Sequence, residues 1–240
     1  MGRNLTEDEL ISTLRHSEMP TILVEGKDDL KIFRWLEDDI NALSSTHVDI
    51  LPCGCRNTLL KLYKQRSTFS KVIFVADKDQ YVYGTIPPEY SDVVFTTGYS
   101  IENDLYQGKG IENLFDKQDR AIFNKALDSY LEYYAREVEK CIKGEEFKLT
   151  QSPQEILKCY LLKDEYKPQQ PPQQSMVLKL KENYDLLLRG HSLFQLLLMV
   201  LTRKERLSKP NMDSIYEMCY KSYKSECILN LRNTVLSLLS

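Results

Sequence analysis

Long apolar runs are missing from this 240-residue chain. The longest, Leu193 to Leu201, falls well short of the ~20 residues a bilayer-crossing helix needs. The opening MGRNLTEDELIS has acids where a secretory leader would have an apolar core, so a cytoplasmic protein is expected. An excess of one charge is also missing: 32 Lys and Arg against 35 Asp and Glu leave a net charge of −3. That excludes a general nucleic-acid coat, whose binding by counterion release needs a clear positive excess; any nucleic-acid contact has to be local. Zinc ligands are scarce. There are 3 histidines, and the 6 cysteines, at 53, 55, 141, 159, 219 and 227, never fall as two pairs. Reduced structural thiols are expected, with Cys53-Gly54-Cys55 read as loop packing. No internal repeat is visible.

What is present is ordinary globular composition, 42% hydrophobic and 28% charged, enough for a core without disulfides or structural metal. From residue 21 short apolar runs alternate with amphipathic segments, the pattern of successive βαβ units and a parallel sheet, so the fold class is α/β. Thr21-Ile22-Leu23-Val24 is a strand apolar on both faces, ending abruptly in Glu25-Gly26. Leu30, Phe33, Leu36 and Ile40 then recur at helical spacing between charged residues. Val48 to Leu51 predicts a second strand, with a helix through Leu59, Leu60, Leu62 and Tyr63. Lys71 to Ala76 predicts a third, ending in Asp77-Lys78-Asp79, and Val93 to Thr97 a fourth, followed by Ser100-Ile101-Glu102-Asn103-Asp104.

After about residue 111 the pattern turns helical, with helices expected over 120–143, 153–162, 176–203 and 212–239. This gives an α/β domain over 1–112 and a helical region over 113–240, in which Lys167 to Gln174, with its 3 prolines, is an exposed extended connector.

Chemistry concentrates where strands end, at Glu25 with Asp28 and Asp29, at Asp77 and Asp79, and at Glu102 with Asp104. In an open parallel sheet the carboxyl ends of the strands share one rim, so acids distant in sequence converge there. Two carboxylates ~4 Å apart repel by about 4 kcal/mol at an effective dielectric near 20, so such a cluster calls for a proton, a basic partner or a cation. Oxygen donors with few His or Cys nearby favour Mg²⁺ or Mn²⁺. Asp77 and Asp79, two apart, point the same way if the strand runs on. The bland alternative is that strand-end acids cap helices, and Asp28 or Asp29 stands where a cap would.

Val24-Glu25-Gly26-Lys27-Asp28-Asp29 and Phe74-Val75-Ala76-Asp77-Lys78-Asp79 resemble the two signature motifs of the Toprim fold, a Rossmann-like parallel sheet, over roughly residues 20 to 105. In that family a strand-end Glu-Gly-x-x-Asp and a later Asp-x-Asp bind Mg²⁺ for phosphodiester chemistry, as in primases, topoisomerases, ribonuclease M5-like maturases and OLD-type nucleases. The resemblance implies catalytic roles for Glu25, Asp29, Asp77 and Asp79, with Glu25 as general acid or base. It implies metal binding by Glu25, Asp77, Asp79 and Glu102, the cofactor being Mg²⁺ or Mn²⁺. Ser100-Ile101-Glu102-Asn103 and Arg189-Gly190-His191 resemble a narrower group of stand-alone Toprim proteins, among them nuclease effectors of phage-defence systems. For that group the implied activity is a toxin-like nuclease held by a partner ABC-type ATPase and released by a phage trigger, active as a homodimer on host RNA, with tRNA as substrate.

Lys27, Lys78, Arg189 and His191 are candidates for phosphate contact, against the plainer reading of solvated or packing side chains. The tyrosines at 130, 133, 134, 216, 220 and 223 are candidates for stacking on RNA bases, with burial the stronger expectation on long amphipathic helices. The basic runs Lys158 to Lys167 and Arg203-Lys204-Arg206-Lys209 are taken as solvated helix faces unless they grip an RNA backbone. Two rivals share the pattern of acids: a non-cleaving Toprim-derived binding subunit of an ATPase complex, and a DNA nuclease. A haloacid dehalogenase-type phosphatase is disfavoured, because its Asp-x-Asp ends the first strand, whereas Asp79 follows the third and precedes Gln80-Tyr81.

Overall fold

The computed structural model describes residues 5–27, 29–162 and 171–239. In chain order the elements are α1 (Glu7–His16), β1 (Thr21–Val24), α2 (Leu30–Leu43), β2 (Asp49–Pro52), α3 (Arg56–Tyr63), β3 (Val72–Ala76), β4 (Val94–Phe95), α4 (Ile101–Tyr106), α5 (Lys117–Ile142), α6 (Pro153–Leu162), α7 (Gln174–Glu182), α8 (Tyr184–Leu187), α9 (Gly190–Leu201), α10 (Met212–Ser222) and α11 (Glu226–Leu239). They form two compact units, one of residues 1–78, 86–97 and 226–240, the other of 79–85 and 98–225. The division falls elsewhere than the change of sequence pattern after residue 111: residues 98–112 group with the helices and 226–239 with the sheet. No helix among the described residues is long and apolar enough to cross a membrane.

The first unit is α/β. Its four strands run parallel in the order β2-β1-β3-β4, with Thr21 opposite both Asp49 and Val72. All of β1 is buried, as its unbroken apolar run requires of a central strand. Leu23 joins Leu10 and Leu14 of α1, Leu59, Leu62 and Tyr63 of α3, and Phe74 of β3 in one core cluster. Alternation turns Ile22 and Val24, also fully buried, to the opposite face. Each such aliphatic side chain contributes on the order of 2 kcal/mol of transfer free energy. α2 buries Ile32, Phe33, Leu36 and Ile40, and α11 packs against α2 and β4. The helix α1 lies outside the sequence expectations, although its Thr6/Glu9 capping box is a legible start signal: Thr6 N–H donates to Glu9 Oε2 at 2.7 Å.

The second unit is helical and centred on α9, which buries Leu193, Phe194, Leu196, Leu197, Val200 and Leu201 and packs against α4, α5 and α6. The expected helix over 176–203 is three pieces, α7, α8 and α9, and that over 212–239 is two, α10 and α11. The break between α8 and α9 has a physical cause. Asn103 Nδ2 donates to Asp185 O and to Leu188 O, both at 2.8 Å. Tyr99 N–H donates to Leu186 O at 2.8 Å, and the hydroxyls of Tyr83 and Tyr134 to Leu187 O at 2.6 and 3.3 Å. With these carbonyls engaged from outside, the turn opens between α8 and α9. The expected connector lies partly outside the described residues; within them 171–173 are irregular and α7 begins at Gln174.

Two buried acids fasten this unit. Glu112 accepts from Tyr106 at 2.5 Å, from Tyr184, and from Arg120 Nη1 at 2.6 Å. Asp119, fully buried, pairs with Arg206 Nη1 and with Arg203 Nε, which lies 2.6 Å from Oδ1 but outside hydrogen-bond alignment. Arg203 Nη2 also meets Asp116 Oδ2 at 2.5 Å. Arg203 and Arg206 are therefore not a solvated face, because the buried Asp119 carboxylate holds both. Tyr130, Tyr133, Tyr134, Tyr216 and Tyr220 are buried, as expected, and Tyr223 half-buried. The side chains of 158–162 and residues 163–170 lie outside the description, and with them the Lys158 to Lys167 run.

Candidate functional site

The order in which strands are added across the sheet reverses at β1: β2 lies on one side of it, and the chain then crosses back to place β3 and β4 on the other. At such a switch point the loops after the two strands part and leave a crevice at the carboxyl rim. Glu25 follows β1 and Asp77 follows β3, so the topology puts both acids there.

Their contact is direct. Asp77 N–H donates to Glu25 Oε1 at 3.0 Å. The turn after β2 completes the cradle: Cys53 N–H donates to Val24 O at 2.9 Å and Gly54 N–H to Glu25 O at 2.7 Å. Gly54 has φ +105°, a backbone that L side chains rarely adopt, so glycine is what lets the turn present both amides. Cys53 is buried in this turn, and desolvation pushes its thiol up to about 12; Cys55 is exposed, its thiol lowered chiefly by the Thr58 hydroxyl. The next residue, Arg56, opens α3. Its Nη1 donates to Asp77 O at 2.8 Å and stands 4.0 Å from Glu25 Oε1, its guanidinium 5.9 Å from the centre of the Phe95 ring. Arg56 and Glu25 side chains are 20% and 17% exposed, so the pair is partly shielded and still reachable from the rim. The Asp77 amide and carbonyl, the Arg56 guanidinium and the Glu25 carboxylate thus meet at one place.

The remaining first-unit candidates are less concentrated. Asp29 occupies the N-cap position of α2, but its side chain makes no capping hydrogen bond; its carbonyl accepts from Ile32 and Phe33 instead. Capping is therefore not what its carboxylate does. Asp28 lies outside the described residues. Lys27 is exposed. Lys78 is tied to the segment after β4, its N–H donating to Thr96 Oγ1 and its Nζ to Thr97 O, both at 2.9 Å.

Asp79 and Glu102 belong to the second unit. The expectation that Asp77 and Asp79 project together from a continuing strand fails: β3 stops at Ala76, and Asp79 takes a left-handed backbone (φ +48°), its N–H held by Tyr99 O at 2.7 Å as a short 3-10 turn begins. Glu102 is buried in the first turn of α4 and accepts from Ser100 Oγ at 2.5 Å, while Asp104, also buried, accepts from Gly98 N–H at 2.7 Å. The Ser100–Asn103 and Arg189–His191 elements do meet, through Gly190. A Cβ there would sit 2.8 Å from Glu102 Cβ and 2.9 Å from Asn103 Oδ1, with Ser100 Oγ nearer still. Arg189 and His191 themselves are exposed; Arg189 N–H donates to Tyr134 at 2.9 Å, and His191 Nε2 pairs with Gln195 Nε2 at 3.0 Å.

Among the described residues no group of three or more His, Cys, Asp and Glu is placed to hold a metal ion. The Glu25 carboxylate at the rim still suits one kind of cation. Mg²⁺ keeps several of its waters and binds through one or two carboxylates plus substrate phosphate, and hard oxygen donors at a half-buried rim are that donor set. Sequence reasoning missed Arg56 and the 53–55 turn; the available signal was the turn's position, directly after a strand and before a helix, as for the acidic loops. No protein-family model matches the chain, and no curated protein matches it.

Proposed function

We propose that this chain is a divalent-metal-dependent endonuclease of the Toprim type, its substrate an RNA and within that class tRNA, working in the cytoplasm as a homodimeric effector released from a partner ABC-type ATPase. The observation that carries the nuclease reading is the Glu25–Asp77 contact at the switch point of a parallel sheet. The narrower substrate and partner rest on the motif resemblance.

In this reading Glu25 is the general acid or base. The Asp77 amide fixes one of its oxygens and so orients the other, which is the positioning that proton transfer needs. Glu25 and Asp77 would hold the Mg²⁺ or Mn²⁺, whose chemistry is to neutralise charge building on a phosphate and to orient the attacking oxygen. Asp29 is the further acid of the first unit in the proposal, and Lys27 is an exposed cation able to meet a phosphate.

The test is cleavage by the purified full chain of mixed RNA and DNA in Mg²⁺ or Mn²⁺, with sequencing of the ends produced. Glu25→Gln keeps an acceptor for the Asp77 amide and Asp77→Asn keeps the backbone contact, so both variants should fold. Each is expected to lose at least about 100-fold in rate, the scale of a general acid–base or metal-holding group. Full activity in both variants, or a wild type that cuts neither nucleic acid, refutes the assignment. In cells, growth arrest by wild type but not by Glu25→Gln separates a nuclease from a binding subunit.

A further inference from the structure

We infer that Arg56 is a resident counter-charge at the rim, which a divalent cation must displace to reach Glu25; this rests on the metal-dependent reading above. The guanidinium donates to the backbone carbonyl of Asp77 at 2.8 Å and stands 4.0 Å from the Glu25 carboxylate, whose Oε1 also accepts the Asp77 backbone amide at 3.0 Å. A carboxylate at a partly desolvated rim needs a positive partner, and Arg56 supplies one to Glu25 without any metal. Its charge cannot titrate away, because arginine stays protonated at all relevant pH. A dication on Glu25 would face that fixed charge at close range and be repelled by it. The long side chain resolves the conflict by swinging outward from the first turn of α3, while the backbone that anchors it stays fixed by its helix. The site is thus neutralised in two alternative ways, by its own guanidinium or by the metal, and Arg56 sets the metal concentration at which the second takes over.

The experiment is calorimetric titration of the full-length protein with MnCl₂ at fixed pH and ionic strength, for wild type, Arg56→Gln, Arg56→Lys and Glu25→Gln, with circular dichroism on each. Arg56→Gln is expected to bind Mn²⁺ about tenfold more tightly than wild type, equivalent to about 1.4 kcal/mol. Arg56→Lys, which keeps the charge, should stay within about threefold of wild type. Glu25→Gln should bind more weakly. Unchanged or weakened binding in a folded Arg56→Gln overturns the competition, as does equal tightening in Arg56→Lys; either result leaves the nuclease reading standing. Absence of Mn²⁺ binding in every form overturns both.

Discussion

Replacing Gly190 with alanine is expected to destabilise the second unit, against the usual sign of that substitution in a helix. Gly190 is the first residue of α9, where alanine would ordinarily gain about 0.5–1 kcal/mol. Here the added methyl would lie 2.8 Å from Glu102 Cβ and 2.9 Å from Asn103 Oδ1, and closer to Ser100 Oγ, all on residues with little or no exposure. Overpacking of this kind costs about 1–3 kcal/mol. Asn103 has no slack to absorb it: Oδ1 accepts from Ser100 N–H at 3.0 Å, and Nδ2 donates to Asp185 O and Leu188 O, so a shift orphans a buried group at about 1–3 kcal/mol more. The net loss is about 2–4 kcal/mol, a fall in Tm of about 5–15 °C for a chain of this size. Differential scanning calorimetry reads it directly. Adding Ser100→Ala removes the nearest atom and should return part of the loss, a coupling that a double-mutant cycle measures. A Gly190→Ala protein that melts at or above wild type, or a cycle with no coupling, refutes the reasoning.

Asp119→Asn should cost about 3–5 kcal/mol in urea unfolding, because it leaves Arg203 and Arg206, 12% and 20% exposed, facing a neutral group; a change below about 1 kcal/mol would show that the ion pairs are dispensable. Thiol labelling with an aromatic disulfide should show a fast phase from exposed Cys55, titrating below the ordinary thiol value, and none from Cys53 near neutral pH, since burial raises that thiol to about 12; persistence of the fast phase in Cys55→Ser contradicts this assignment. Alkaline solution should weaken the fold. Burial raises the hydroxyl of Tyr130 to about 12 and those of Tyr83, Tyr106, Tyr134 and Tyr184 above their ordinary value, so above about pH 10 the unfolded chain releases protons the folded one keeps. Stability from these groups is complete below that pH and declines as pH rises, by up to about 1.4 kcal/mol per pH unit for each tyrosine. Urea midpoints that stay flat from about pH 9 to about pH 11 would contradict it.

Much of the first unit was legible because strand ends are punctuated in this sequence. The apolar run of β1 stops at Glu25-Gly26 and that of β3 at Asp77, and the observed strands fall within a residue or two of the expected ones. The convergence of Glu25 and Asp77 followed from a general rule of parallel sheets. Arg56 was not legible. Between Cys55 and Asn57 at a helix start it reads as one more solvated basic residue, and only the placing of β2 beside β1 brings its turn against Glu25. Asp79 was misread for the opposite reason: spacing of two implies a shared face only while the chain stays extended, and a left-handed residue ends that condition.

Sequence alone determined where the strands of the sheet lie and which acids stand at their ends, since these depend on local spacing, apolar runs and turn residues. Tertiary structure decided what those groups touch. Periodicity through residues 176–203 is continuous, yet the helix breaks because Asn103, Tyr99, Tyr83 and Tyr134 capture the carbonyls of residues 185–188. Glu25 has an arginine beside it because three separate loops meet at one rim. Hydrogen bonds and charge contacts between distant residues carry no periodic signature, so only the folded chain reveals them.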